Sequence, residues 1–589
     1  MGQGAEGGDM VLEKALEKEN WLKAGDDFCQ QGDFFSMRAA GREILELNDN
    51  DGDGLAMIAE ASLYLSAATG DKLELARAME KLLKAEELHP DNLRAKLVRG
   101  LAHWHEFALD KAIPAFEALL SHMDEAGNHV LGDSFHRVME KGCAFYADAC
   151  LLAAMPEKAA RAAFMAAGLV EDKDKKASYH SKGLFLSNYR SLSASRMLEL
   201  HQDFSRLLRA KMVFPHNVEK RRRDHTLRVG YISPDFRMHA AAYFFTPFLR
   251  DYNKGKFKVY AYSTGKSDHV TARFRKMPEV WRDMCDKTPQ QIAHQIFDDR
   301  IDILVDLSGH SQNSCLPVLA YKPAPVQLSA IGYINTTGLE EVDYFLSDEV
   351  CLPATDPGTS FTESTIRLPG CHLCYVPEVM HNIKSEGHDA PVKKNGYVTF
   401  GSFNNFAKVS REVLFLWRSI LDMVPDSKLV IKSKICSILS GREIVKKRFA
   451  EVGADVDRLE LRPYSPDYLQ QYADIDIALD TFPYNGGLTT CDALYMGVPV
   501  VALNGKTHGS RFGASILKSA GLDNLVAATE LDYVNKAVAL ARNAELLNML
   551  HQELPLAVRQ SPLMNSKAYM DMVEETYSGI WARYCQGNE

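Results

Sequence analysis

Cysteine is scarce in this 589-residue chain, eleven residues in all, too few to staple a scaffold with disulfides. No charged-then-apolar leader opens the sequence, and the two absences together point to a reducing, cytoplasmic setting. An uncharged apolar run of about 18 residues is also missing, which excludes a membrane-spanning helix. Positive charge is not in excess: 68 Lys and Arg stand against 78 Asp and Glu, a formal charge of -10. That balance argues against nucleic acid or an acidic membrane as a partner and leaves only local anion pockets. Residues 1–11 read as a flexible tail, and Glu6 stands where N-myristoylation wants Ser or Thr.

What is present is ordinary globular composition, 46% apolar, 25% charged and 9% aromatic, enough to bury a sizeable core. The length implies about three or four domains. From 12 to 225 the sequence is rich in Ala, Leu, Glu and Lys with helical spacing of apolar residues, which predicts an all-α region. Ala78 and Ala85 before Pro90, then Gly100, Ala112 and Phe116, carry the small/large pattern of paired antiparallel helices. Ala78 and Ala112 lie 34 residues apart, the period of tetratricopeptide repeats. A third pair, Ala160 and Phe164, breaks that period, so the repeats are irregular.

One segment has two readings. Asp49, Asp51, Asp53, Gly54 and Glu60 have the spacing of a calcium-binding loop. The same residues suit a turn between repeat units, with Asp53 as the helix cap. Ala56, where a branched apolar residue is usual, and the lack of a second copy favour the turn. The cluster Lys220–Arg223 marks a change of texture and reads as an exposed linker rather than a nuclear signal or RNA patch.

Beyond it, short β-branched runs alternate with amphipathic helices. The runs are LRVGYIS, FKVYAYS, IDILVDLSG and VDYFLSD, then VTFGSF, KLVIKSK, DIDIALD and VPVVALN. This alternation predicts two Rossmann-like lobes with parallel sheets, over 226–380 and 381–565, linked near 376–396 and followed by an amphipathic helix over 566–589 that crosses back to the first lobe. Ligands in such lobes sit at strand carboxyl ends.

Three strand ends carry the chemistry. In DTFPYNGGLTTCDALYMG (480–497) a buried strand leads through Gly486 and Gly487 into a helix starting near Leu488, whose free N–H groups and positive dipole end suit a diphosphate. Thr489 and Thr490 add hydroxyls, and Asp492 is placed for ribose hydroxyls. The same turn also serves simply to let the chain bend. In FGSFNNFAK, Asn404, Asn405 and Lys408 leave a strand tip, and a lysine there can neutralise charge on a leaving phosphate. In GYISPDFRMHAAAYFF, His239 is a candidate proton carrier or anion contact, or a helix cap beside Asp235. His310 and the loop with Gly332 and Tyr333 supply further polar strand ends.

Together GYISPDFRMH, PAPVQLSAIGYINTTG with VDYFLSD, FGSFNNFAK and DTFPYNGGLTTCDALYMGVPVV resemble the family-41 glycosyltransferases, the nucleocytoplasmic O-GlcNAc transferases and their SPINDLY relatives, across about 227–584. The resemblance implies a GT-B fold behind helical repeats and an inverting, metal-independent transfer from a nucleotide sugar to Ser or Thr of a protein, with no cofactor. By motif it makes Lys408 the essential lysine at the donor diphosphate and His239 the histidine beside donor and acceptor. Asn405 becomes a nucleotide-contacting amide, Gly487, Leu488 and Thr489 the phosphate-binding helix start, and Asp492 the ribose carboxylate. Gly332 and Tyr333 fall in the loop against the sugar.

Gly487 stands where O-GlcNAc transferase has a histidine near the sugar, Tyr468 where a histidine stacks on the base, and Ile334 where it has a proline. These departures are closer to SPINDLY, whose plant member uses GDP-fucose. The expected donor is UDP-GlcNAc, with GDP-fucose and then UDP-glucose as alternatives, and an inactive repeat scaffold as the reading from another class. The general base is His239, His310 or a water chain. A protein acceptor held partly by the repeats is the expected partner, and an oligomer is compatible. Cys371 and Cys374 form a lone CxxC, which predicts loop packing rather than zinc.

Overall fold

A computed structural model describes residues 3–125, 133–209, 212–216, 226–356 and 358–587; the basic cluster at 220–223 lies outside them. The chain divides into two compact units, one of residues up to Tyr179 together with 438–443, the other of the remainder.

The first unit is all helix. Its first helix runs Gln3–Gln31, so helix begins within the stretch read as a tail. The helices Leu93–His105 and Leu109–Leu120 pack as a pair. Gly100 is what lets them approach, because a Cβ there would lie 2.5 Å from the Phe116 ring. Ala78, Ala112 and Phe116 are fully buried, as the small/large pattern requires.

The acidic segment near residue 50 is a turn. Asp51, rather than Asp53, caps the helix Gly52–Thr69, accepting from the amides of Asp53 and Gly54. Lys18 bridges Asp51 and Asp53, each at 2.8 Å. Glu60 is buried in the helix and paired with Arg94 at 2.9 Å and Lys141 at 3.0 Å, and Asp26 completes the cluster by pairing with Arg94. The carboxylate that would close a calcium loop is thus held by two cations.

The second unit holds two sheets, all parallel. The first has strands β1 (Leu227–Ser233), β2 (Phe257–Ser263), β3 (Val280–Asp283), β4 (Ile303–Asp306), β5 (Val326–Ala330), β6 (Tyr344–Asp348) and β7 (Ser364–Leu368). The second has β8 (Thr399–Ser402), β9 (Lys428–Lys432), β10 (Leu459–Arg462), β11 (Ile477–Leu479), β12 (Val500–Leu503) and β13 (Val526–Ala527). Their orders, β3-β2-β1-β4-β5-β6-β7 and β10-β9-β8-β11-β12-β13, reverse direction at β1/β4 and at β8/β11. A reversal leaves a crevice beyond the strand ends, because the flanking connections leave to opposite faces. This is the two-lobed GT-B architecture.

The helices beyond Tyr179 belong with the sheets. Asn188 donates to the Tyr333 hydroxyl at 2.9 Å, and that hydroxyl donates to Nε2 of His201 at 2.9 Å. The last helix, Ser566–Cys585, packs on the first lobe: Tyr231 and Tyr577 meet through their hydroxyls at 3.4 Å, and Glu574 accepts from the Asn253 amide. Met570, Val573, Tyr577 and Trp581 are its buried face.

Candidate functional site

The four strands that flank the two reversals end in the residues singled out from sequence. After β8, Asn405 caps a single 3-10 turn, Phe406–Lys408, which turns the Lys408 side chain toward the end of β11. Its ammonium donates to the Asn485 carbonyl at 2.9 Å and lies 3.9 Å from the centre of the Tyr484 ring. Burial pulls the Lys408 pKa down, and the carboxylate of Asp480, the residue that follows β11, opposes that fall. Asp480 in turn is pushed up by burial although it accepts from the amides of Thr481 and Gly486, at 2.8 Å and 2.7 Å. Its Oδ2 has no hydrogen-bond partner among the described residues.

The helix Leu488–Tyr495 follows, with Gly487 at its cap and no side-chain cap bond. Its first amides therefore stay available, and its dipole adds positive potential beside Lys408. Thr489 donates to Asn404 Oδ1 at 3.0 Å, which ties this helix to the β8 loop; Thr490 donates to the Gly486 carbonyl at 3.1 Å. Ser402, Asn404, Asp480, Thr489 and Thr490 line a small cavity.

From the first lobe, His239 caps the 3-10 turn Ala240–Phe244 with Nδ1, accepting from the Ala241 amide at 3.3 Å. Asp235 lies 3.5 Å from the same nitrogen. Burial lowers the pKa of His239 and raises that of Asp235. The turn that His239 caps packs on the helix Leu488–Tyr495.

Asp492 and Tyr468 meet, though not as open ligand contacts. The Tyr375 hydroxyl donates to one Asp492 oxygen at 2.7 Å and the Tyr468 hydroxyl to the other at 2.8 Å. Asp492 is fully buried, and burial raises its pKa to about 7. In this arrangement its carboxylate holds two tyrosines in place.

His310 is buried as well. It is 1% exposed, its Nε2 donates to the Thr337 carbonyl and its Nδ1 accepts from Ser181, both at 2.9 Å. With both nitrogens used, it has no lone pair to take a proton from an acceptor. Tyr333 is also buried, held by Asn188 and His201 beneath its loop. Gly332 lies where a Cβ would meet the Leu307 carbonyl at 1.9 Å, so only glycine fits. Asp480, Tyr484, Asn485 and Tyr375 are the residues that reading the sequence did not assign. For Asp480 a signal existed, an acidic residue leaving a buried apolar strand one step before a glycine-bearing turn.

A family model, Glycosyl transferase family 41, matches residues 180–381 and 388–573. The chain is 36% identical to a Petunia hybrida protein named probable UDP-N-acetylglucosamine-peptide N-acetylglucosaminyltransferase SPINDLY, over 71% of this chain and 45% of that protein. It is 40% identical to the Arabidopsis thaliana protein of the same name, over 62% of this chain and 40% of that one. It thus spans less than half the length of these plant relatives. A solved structure of a Thermobaculum terrenum O-GlcNAc transferase carrying a lysine-to-methionine mutation aligns over 98% of this chain and 99% of that one, with a TM-score of 0.72 and 25% identity.

Proposed function

Because the chain belongs to glycosyl transferase family 41, we propose that it moves a sugar from a nucleoside diphosphate donor to a Ser or Thr hydroxyl of a protein, inverting the anomeric centre. The observation that carries this reading is the Lys408 ammonium on the Asn485 carbonyl, two residues ahead of the uncapped helix start at Gly487, Leu488 and Thr489. Negative charge collects on the diphosphate as the sugar leaves, and fixed donors aimed at that charge lower the barrier more than they stabilise the bound donor. Asn405 stands beside this corner as the nucleotide contact, and Thr490 completes the helix start.

These donors neutralise the diphosphate without a metal. The one Asp-x-Asp pair near the site supports that reading: Asp474 is paired with Arg462 at 2.8 Å, and Asp476 accepts from the amides of Val392 and Thr399, both at 2.8 Å. His239 lies beside donor and acceptor in this reading; with Nδ1 accepting from the Ala241 amide, its neutral ring holds the proton on Nε2, so it serves the site as a hydrogen-bond donor and a water chain takes the acceptor proton. No resident cofactor enters the scheme.

UDP-GlcNAc is the donor we place first. The departures at Gly487, Tyr468 and Ile334 favour GDP-fucose as the second reading, and the helical repeats contribute to holding the protein acceptor. Thermal-shift titration with UDP-GlcNAc, UDP-glucose and GDP-fucose tests the donor, since only a ligand of the native state raises the melting temperature. A response to the guanine nucleotide alone overturns UDP-GlcNAc, and no response to any of them overturns the donor site itself.

A further inference from the structure

In the second unit, away from Lys408, several buried polar atoms are left with nothing to bond, and one of them belongs to a cluster of metal-ligating side chains. Nε2 of His372 has no hydrogen-bond partner among the described residues, and the residue is 1% exposed. A buried nitrogen left bare is costly, on the order of 1–3 kcal/mol. Its other nitrogen, Nδ1, is paired with the carboxylate of Asp348, which fixes the ring proton there and leaves the lone pair on Nε2.

His508 is oriented the same way. Its Nδ1 faces the Ile334 carbonyl at 3.0 Å, and a carbonyl only accepts, so the proton sits on Nδ1 and Nε2 presents a lone pair, now against the Ser347 hydroxyl at 2.9 Å. Cys351 stands with them: the donor atoms of Cys351, His372 and His508 lie within 4.8 Å of one another, and all three residues are buried. Asp348 is an anchor rather than a ligand. Its Oδ1 accepts from the amides of Val350 and Cys351, and its Oδ2 from the His372 amide, the His372 ring and Ser515. Cys371 is the remaining donor, within 4.8 Å of His372 and Asp348.

We propose that Cys351, His372 and His508, with Cys371 in the fourth position, form a structural zinc site. Thiolate sulfur and imidazole nitrogen in a tetrahedral set select zinc among the common divalent ions. Zinc bonds of about 2.0–2.3 Å set tetrahedral donors about 3.3–3.8 Å apart, so Cys351, His372 and His508, already within 4.8 Å of one another, need only draw together, while Cys371 must turn in from its place beside Asp348. A histidine that gives its second N–H to a carboxylate or carbonyl is the usual support for such a ligand. Binding releases the two thiol protons and lets Ser347 turn to another acceptor.

Four protein ligands leave no open position, so the metal would clamp structure and take no part in transfer. It would join the loop after β6 and the segment after β7 to His508 of the second lobe, and through Ile334 to the loop of Gly332 and Tyr333. Cys371 and His372 lie inside the lone CxxC that spacing alone assigns to loop packing, and Cys351 and His508 stand at no motif spacing from it.

The test is elemental analysis of the full chain as purified, with about one zinc per chain expected for a site of this affinity class. Cys351→Ser and His508→Gln each empty the site, whereas Cys436→Ser, at a buried cysteine outside the cluster, keeps the metal. Should those variants fail to fold, the wild-type protein stripped with a chelator and titrated with Co²⁺ gives thiolate-to-cobalt charge-transfer bands in the near ultraviolet. A folded chain that carries no zinc, takes none from ZnCl₂ in competition with a chromogenic chelator and shows no cobalt bands overturns the proposal.

Discussion

Lys408 and Asp480 share one buried corner of the second lobe, and each is displaced from its ordinary ionisation: the ammonium toward losing its proton, the carboxyl toward keeping one. Desolvation is the main cause for both, and their mutual attraction only partly offsets it. The corner is therefore short of charge satisfaction until an anion enters. In the proposed reaction a bound diphosphate would supply that negative charge and draw Lys408 back toward full protonation.

Lys408→Ala is expected to lower the turnover number by on the order of 10²–10³-fold, the cost of losing one well-aimed electrostatic donor. It should not lower the melting temperature of the ligand-free protein, because the lysine is held there against its desolvation. Single-turnover transfer and calorimetry on the same preparation check both halves.

Asp480→Asn keeps the acceptor oxygen for Thr481 and Gly486 but removes the charge that props up Lys408. The Lys408 pKa then falls further, and the alkaline limb of kcat/KM against pH moves to lower pH. A limb that stays in place removes Asp480 from the electrostatics of the site.

Asp492 has its pKa raised to about 7 by burial, above its value in the unfolded chain. A carboxyl raised in this way favours folding at low pH and loses that contribution as pH rises from about 4 to 7. Asp492→Asn should accordingly gain stability relative to wild type across that window, by about 1–3 kcal/mol, and run parallel to it above pH 7. Urea unfolding at several pH values reads the difference.

In the helical unit, Glu60→Gln leaves Arg94 and Lys141 without half of their counter-charge in a dry setting, and a broken buried pair costs about 3–5 kcal/mol. Added calcium should not change the melting temperature of the wild-type protein, since that carboxylate is already taken.

The eight strands read from sequence are those whose side chains are branched and apolar. The strands that escaped are of two kinds. β3, β7 and β10 are edge or half-exposed strands, and β13 is two residues long. β5 is wholly buried although it alternates apolar Val326, Leu328 and Ala330 with polar Gln327 and Ser329; Gln327 spends its amide on the carbonyls of Leu319 and Glu341, and an alternation of five residues just after two prolines is too short to stand out.

The candidate site divides in a similar way. The places of Lys408, Thr489 and His239 after strand ends were legible because a strand end followed by a turn has one direction to point. His310 and Asp492 were not, since their roles depend on Ser181, Thr337, Tyr375 and Tyr468, partners that only the tertiary packing supplies. Spacing in the chain places a residue at the crevice and says nothing of what else reaches it.

The bonds from Asn188 and His201 to Tyr333 have a practical bearing on expression. A shortened version trimmed where the helical texture gives way to strands, near residue 226, would discard both hydrogen-bond partners of that phenol, the donor Asn188 and the acceptor His201, and uncover the underside of the loop at 331–338. A version trimmed ahead of residue 173 keeps the whole supporting helix. Of two such truncations, the shorter should come out insoluble.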